Sequence, residues 1–249
     1  MPPTAVDRAQ QAARNNAAWC DVVCRAHGRP GELLDGLWVN RHETPPLYPN
    51  VVTLDRLHPD EHLEHIRAFM RAGVPGAWAV KDSFCTLDLA PLGFELLFEA
   101  EWIWRAAAPT NRTGDISDVS WSRIERAADL AAWEAASKAA SKEEDTGERV
   151  FLPALLRDAD VAVIAAHRQR EIIAGAIGNR AAGAVGLSNV FVPDDAALLY
   201  WAGCIAAVSD GFPRLPLVGY ESGETFAVAR TLGFEPVGRL RVWSRQAGS

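Results

Sequence analysis

Two short phrases in the chain place an acid between polar neighbours: "YES", Tyr220–Glu221–Ser222, and "KDS", Lys81–Asp82–Ser83. Each follows a strand-like apolar run, "LPLVG" in one case and "GAWAV" in the other, and each precedes a helix or turn. A carboxylate beside a hydroxyl at a strand end can act as base and proton relay, provided burial lifts the carboxyl towards neutrality. In that reading Glu221 or Asp82 is the base, and Tyr220 or Ser222 passes the proton on. Ser83 is the matching hydroxyl in the first phrase, and Lys81 is a candidate substrate ligand. The plainer alternative is capping, in which the Ser or Asp satisfies the first N–H groups of the next helix.

Three other groups invite the same question. Glu99 and Glu101, two apart in "FELLFEAEWIW", share one face of a strand and can bind an amine or work as acid and base; an exposed strand face explains them equally. His58, His62 and His65 stand at helical spacing, but no third ligand or orienting partner is identifiable, so they read as a polar helix face and no metal is expected. Among nine tryptophans, Trp38 and a few others near strand ends can line an apolar ligand cavity. There is no P-loop, no dinucleotide glycine motif and no nucleophile elbow.

Composition narrows the partners. Across 249 residues, 25 Lys plus Arg against 32 Asp plus Glu leave a formal charge of -7, which argues against nucleic acid and anionic membranes and leaves a small molecule as the expected ligand. A second copy of the chain is a candidate partner. The longest apolar stretch, Ala196 to Val208, falls short of a membrane span, and "MPPTAVDRAQQAARNN" lacks a signal-peptide core, so a cytoplasmic protein is expected. Four cysteines without a CxxC pair read as reduced thiols.

The elements that must position these groups repeat. "DRAQQAARNNAAWCDVVCRAHG" predicts a helix, "GLWVN" and "NVVTL" short strands, and "HPDEHLEHIRAFMRAG" an amphipathic helix opened by Pro59 and closed by Gly73. A strand ("GAWAVKDSF"), a short turn and the strand "FELLFEAEWIW" end the first half. After the polar stretch 106–120, the segment 121–140 predicts one helix. Three strands follow up to Pro193, then an apolar helix, the strand "LPLVGYES", a helix and the strand "FEPVGRLRVWS". "LGFE" closes both halves, at Leu92–Glu95 and Leu232–Glu235, and aligning the two brings "AWAVKDSF" near "PLVGYESG" with one residue of slippage. An internal duplication with a shortened first copy is the expectation.

From about Ser122 to Arg245, a strand meander ending in "VFVP", a long helix, a strand, a helix and a last strand opening on Gly-Phe resembles the GNAT superfamily of N-acyltransferases. The resemblance implies two related lobes, 1–105 and 121–249 around a linker at 106–120, in an α/β layered fold with a mixed sheet flanked by helices. It also implies a crevice between splayed strands that holds an acyl thioester such as acetyl-coenzyme A by backbone pairing near Ser188, Asn189, Val190 and Phe191. The chain departs from the family where "VFVP" should lead into an arginine- and glycine-rich pyrophosphate loop. It has Asp194, Asp195 and then Ala196 to Trp201, with Gly203 alone nearby, and Ala229 replaces the tyrosine many members carry on the last helix.

The resulting expectation is acyl transfer from a thioester to the amine of a small metabolite. Two readings stay open beside it: an enzyme of this fold that has given up coenzyme A for a small polar substrate between the lobes, and a non-catalytic binding or partner protein.

Overall fold

The computed structural model describes residues 4–73, 76–108, 118–141 and 147–246. Its strands are β1 (Glu32–Leu34), β2 (Leu37–Val39), β3 (Val51–Thr53), β4 (Trp78–Asp82), β5 (Glu95–Arg105), β6 (Val119–Arg123), β7 (Val161–Arg168), β8 (Glu171–Ala181), β9 (Ala184–Phe191), β10 (Leu217–Glu221) and β11 (Glu235–Arg245). The helices are α1 (Ala5–Ala26), α2 (Pro59–Ala72), α3 (Ala127–Ser141), α4 (Ala197–Gly211) and α5 (Gly223–Thr231). The strands form one mixed sheet in the order β1-β2-β3-β4-β11-β5-β10-β9-β8-β7-β6. The expected α/β architecture is therefore present, a mixed sheet flanked by helices.

The repeated phrase has a local physical basis. Gly93 and Gly233 take φ of 80° and 87°, a left-handed conformation that glycine adopts without a Cβ penalty. Phe94 and Phe234, one residue on, are each 3% exposed and anchor the strands β5 and β11 in the core.

Those two strands pair with each other, antiparallel, around an approximate two-fold axis at the pair Ala100↔Leu240. Glu235 faces Trp104 as Glu95 faces Ser244, and each strand skips one residue, Val237 in β11 and Leu97 in β5, at matching places. The outer neighbours are exchanged: β4 pairs with β11, and β10 pairs with β5. Asp82 lies opposite Arg241 just as Glu221 lies opposite Glu101, so Lys81, Asp82 and Ser83 are the counterparts of Tyr220, Glu221 and Ser222, an offset of 139 residues against 140 for the LGFE words. The slippage seen in the alignment is thus real. Each half contributes its last strand to the other half's side of the sheet.

One expectation changes. Residues 121–123, read as the start of a helix, form β6 on β7, because "VSWSR" alternates with period two and Trp121 packs onto α4 at Gly203, where a Cβ would overlap its ring. The helical part begins only at Ala127. Helix α1 forms as expected and lies across the second half's strands β8, β9 and β10 as well as β5 and β11. A capping box of Thr4 and Asp7 starts it, and Ala9, Ala12 and Ala13 bring it close to the sheet. Asn15 Nδ2 donates to the carbonyls of Asn179, Ala181 and Ala184, while Asn179 Nδ2 donates back to Asn15. This buried pairing fixes the position of α1.

The linker drawn at 106–120 lies largely outside the described residues. A protease site placed between Ala108 and Asp118, once cut, is expected to leave two fragments that co-elute on gel filtration and separate only in denaturant, because β5 is bonded on both edges by second-half strands. Fragments that part without denaturant would contradict the exchange.

Candidate active site

The two halves treat their equivalent strands differently. In the second half β9 and β10 run parallel and pair only at Val185↔Leu217 and Gly186↔Val218, after which they diverge. Gly219 sits at the fork, where a Cβ would stand 2.8 Å from the Leu187 carbonyl oxygen. Beyond the fork, β9 carries a bulge: Gly175 faces Phe191 and Ile177 faces Ser188, so Asn189 and Val190 together oppose Ala176. Asn189 takes a φ of 52°. A bulge re-aims the backbone groups around it, here beside the open fork.

In the first half the same gap is shut. β3 and β4 pair at Val51↔Val80 and Val52↔Lys81, and the Thr53 hydroxyl accepts the Ser83 N–H at 2.8 Å. Asp82, fully buried, accepts N–H bonds from Phe84, Thr86 and Leu87 and thereby shapes the turn after β4. Burial raises its pKa, those three N–H groups and Arg241 oppose the rise, and the carboxylate has no access to the cavity described next. Ser83 Oγ is buried without a partner, and its carbonyl accepts from Trp102 Nε1.

A cavity of about 340 Å³ opens at the second-half fork. Its walls come from both halves: α1 and the 47–49 turn on one side, α3 on another, and Gly186–Val190 with Val218–Glu221 at the floor. Of the residues singled out in sequence, Glu221, Tyr220, Lys81, Ser188, Asn189 and Val190 line it. Tyr220 is held by aromatic packing, with Trp102 edge-on at 5.6 Å, Phe98 stacked at 6.4 Å and Lys81 Nζ 4.3 Å from its ring centre.

Glu221 ends β10, and its Oε2 accepts the Thr225 hydroxyl at 2.7 Å. Burial pushes its pKa up to about 7, with the Thr225 bond pulling the other way. Its neighbour across the strand pair is another acid, Glu101, whereas the equivalent Asp82 faces a guanidinium. A carboxylate that titrates near neutrality beside a cavity suits proton transfer.

The remaining sequence candidates lie elsewhere. Glu99 and Glu101 belong to an exposed cross-strand ladder: Arg239 and Arg241 bind Glu99, and Arg239 Nε lies 3.8 Å from Glu101. The Arg241 bond holds the Glu99 carboxyl below the ordinary range. Trp38 is a core residue beneath the Gly31 turn, donating to Asp21, and does not reach the cavity. Phe191 turns into the core against Trp133 at 5.3 Å. Ser222 occupies the N-cap position of α5 but makes no side-chain cap bond there, so neither the capping nor the relay expectation for it finds a contact. His62 is buried 3.8 Å from Asp55, and among the described residues no cluster of three or more His, Cys, Asp or Glu is placed to hold a metal. No helix among them is long and apolar enough to cross a membrane.

Sequence reasoning missed the α1 wall, including Asn15, Asn16 and Cys20, and also Tyr48 between two prolines. Burial raises the Tyr48 pKa well above its ordinary value and that of Cys20 to about 11, so both hold their protons at neutral pH.

The entry to α4 does not fit a coenzyme A pyrophosphate. Asp194 and Asp195 stand in the turn before the helix, Ala196 to Trp201 carry side chains where a cradle needs bare backbone, and Gly203 is occupied by the Trp121 ring.

No protein-family model matches the chain. No curated protein matches it in sequence. Solved structures do match. A GCN5-related N-acetyltransferase from Kribbella flavida aligns with a TM-score of 0.66 at 16% identity, covering 96% of each chain. A conserved protein of unknown function from Staphylococcus epidermidis aligns at 0.59 with 10% identity over 84% of each chain. A protein classed as an acetyltransferase of the GNAT family from Novosphingobium aromaticivorans aligns at 0.55 with 12% identity, over 92% of this chain and 98% of its own. The chain has the fold of the GCN5-related N-acetyltransferases.

Because the folded pKa of Glu221 exceeds the unfolded one, the native state keeps its proton longer. Its contribution to stability is therefore full below the ordinary carboxylate pKa and is lost progressively as the pH rises from there to about 7. Between pH 5 and pH 7.5 the urea midpoint of the wild type is expected to fall relative to that of Glu221→Gln. An unchanged pH dependence in the variant would contradict a half-buried Glu221 that titrates near neutrality.

Proposed function

We propose that the protein transfers an acyl group from a thioester to the amine of a small substrate held in the cavity at the β9/β10 fork. The observation that carries this reading is the fork itself. Among the described residues, two parallel strands part at Gly219 in the second half, whereas the equivalent first-half gap is zipped, and Glu221, which titrates near neutrality, stands beside the fork.

An extended acyl arm entering the fork meets the β9 edge at the bulge, whose re-aimed backbone groups can pair with it. The amine must lose a proton as its nitrogen bonds the acyl carbon and the carbon–sulfur bond breaks. Glu221 is placed to take that proton, with Thr225 orienting its carboxylate. The departing thiolate needs a proton in return. Tyr220, fixed by Trp102 and Lys81, is the donor singled out in sequence, and Tyr48 is a second phenol in the same cavity that stays protonated. Cys20 is a poor nucleophile at neutral pH because burial keeps it a thiol, which favours direct transfer over an acyl-enzyme.

The acidic, side-chain-filled entry to α4 favours a donor recognised by its acyl arm rather than by its phosphates. A short thioester such as acetyl-pantetheine is expected to support turnover with a kcat/KM within about tenfold of acetyl-coenzyme A, since a helix N-terminus that repels its anion adds little binding.

The reading as a whole is tested by the pH–rate profile. The expected kcat/KM rises through a limb at about pH 7, and Glu221→Gln lowers it by about 10²- to 10⁴-fold and removes the limb. Full activity in Glu221→Gln, or no transfer to any amine from any thioester, would overturn it.

A further inference from the structure

Lys81 is 4% exposed, yet among the described residues no carboxylate lies within ion-pair distance of its ammonium. Among the described residues its Nζ makes one hydrogen bond, to Asn16 Oδ1 at 2.8 Å, and it lies 4.3 Å from the centre of the Tyr220 ring. An ammonium carries three donors, so its hydrogen-bonding capacity is not filled by the protein. A buried cation without a counter-charge gives up hydration that the protein does not replace. Lys81 is also one of the walls of the 340 Å³ cavity, so this incomplete charge faces the space a ligand would fill.

The nearby groups do not balance it. Asn15, Asn16, Asn179, Ser188 and Asn189 are neutral, and the buried acid Glu134 is already engaged by the Val150 N–H and by Arg149. Glu221, the remaining acid of the cavity, is the group assigned to the amine. The first half shows why a lysine is tolerated at this register position. Its counterpart in the second half is Tyr220, and the exchange of β5 and β11 brings the two side chains into contact across the pseudo-axis.

We infer that Lys81 binds an anionic group of the acceptor, and that the acceptor is a small zwitterion: an amine that also carries a carboxylate, of the amino-acid class. This rests on the cavity being the acceptor site. The carboxylate sits on Lys81 Nζ beside the Asn16 side chain, and the amine is left towards the Glu221 side of the same cavity. Lys81 is a binding residue in this account and takes no part in proton transfer. A charge-assisted bond in a water-poor pocket separates a carboxylate from a neutral isostere by about tenfold or more.

The test needs no acyl donor. Calorimetric titration of the intact protein with a panel of α- and ω-amino acids, each beside its own carboxamide, is expected to find at least one free amino acid that binds and whose carboxamide binds about tenfold more weakly. Lys81→Met is expected to abolish that difference, and Lys81→Arg to keep part of it. Without ligand, Lys81→Met is expected to melt no lower than wild type, because it removes an uncompensated buried charge, while losing the ligand-induced rise in Tm. Equal binding of acid and amide, a preference that survives Lys81→Met, binding only of phosphate compounds such as phosphopantetheine or inorganic phosphate, or no binding at all would each overturn the inference. If Lys81→Met does not fold, the acid–amide comparison on the wild type decides alone. Carboxylate-selective binding with no acyl transfer would leave this inference standing and remove the proposed reaction instead.

Discussion

The pairing of β5 with β11 is the constraint on which the rest of the molecule depends. Two eleven-residue strands, each launched by a left-handed glycine and a buried phenylalanine, lie antiparallel about Ala100 and Leu240 and carry matching skipped residues. Side by side at the centre, each keeps one free edge, and that edge is taken by the other half's strand: β4 pairs with β11, and β10 pairs with β5. One sheet results, and the side chains of β4 and β10 meet near its middle, which is how Lys81 comes to rest on Tyr220.

Within that symmetry the chemistry is asymmetric. After its YES-like phrase the first half has a three-residue 3-10 turn where the second half has α5. Asp82 is shorter than Glu221 by one methylene and folds back on the turn's N–H groups, while Thr53 ties β3 to the end of β4. The second copy keeps α5, whose Thr225 holds Glu221 at the fork. Two equivalent positions therefore serve different ends. Asp82 organises a turn, and Glu221 borders an open cavity.

What could be read in advance was what is decided locally. The Gly-Phe closing phrase, the Pro59 and Gly73 ends of α2 and the three-strand meander before Pro193 all follow from φ requirements and side-chain alternation within a few residues. The strand exchange was not legible, because β5 and β11 resemble each other and pattern alone does not choose between partners of similar sequence. Trp121 misled for a related reason. Its flanking serines and arginine suit a helix start, and only packing against Gly203, some eighty residues later, makes the segment a strand. Of the site, the KDS and YES phrases and the 188–190 edge were visible. Tyr48 and the α1 asparagines were not, since nothing near them in sequence points to a cavity built from several distant segments. Glu99 and Glu101 looked functional because their arginine partners lie 140 residues away on β11.

The central claim is that the working crevice is the second half's fork and that its first-half twin is closed. Backbone amide shifts during titration with a short acyl thioester test it most directly. The account predicts perturbations centred on Ser188–Val190 and Gly219–Glu221, with Val51–Thr53 and Ser83 unmoved. Shifts centred on the first-half segment, or spread over the surface with no focus at the fork, would contradict it.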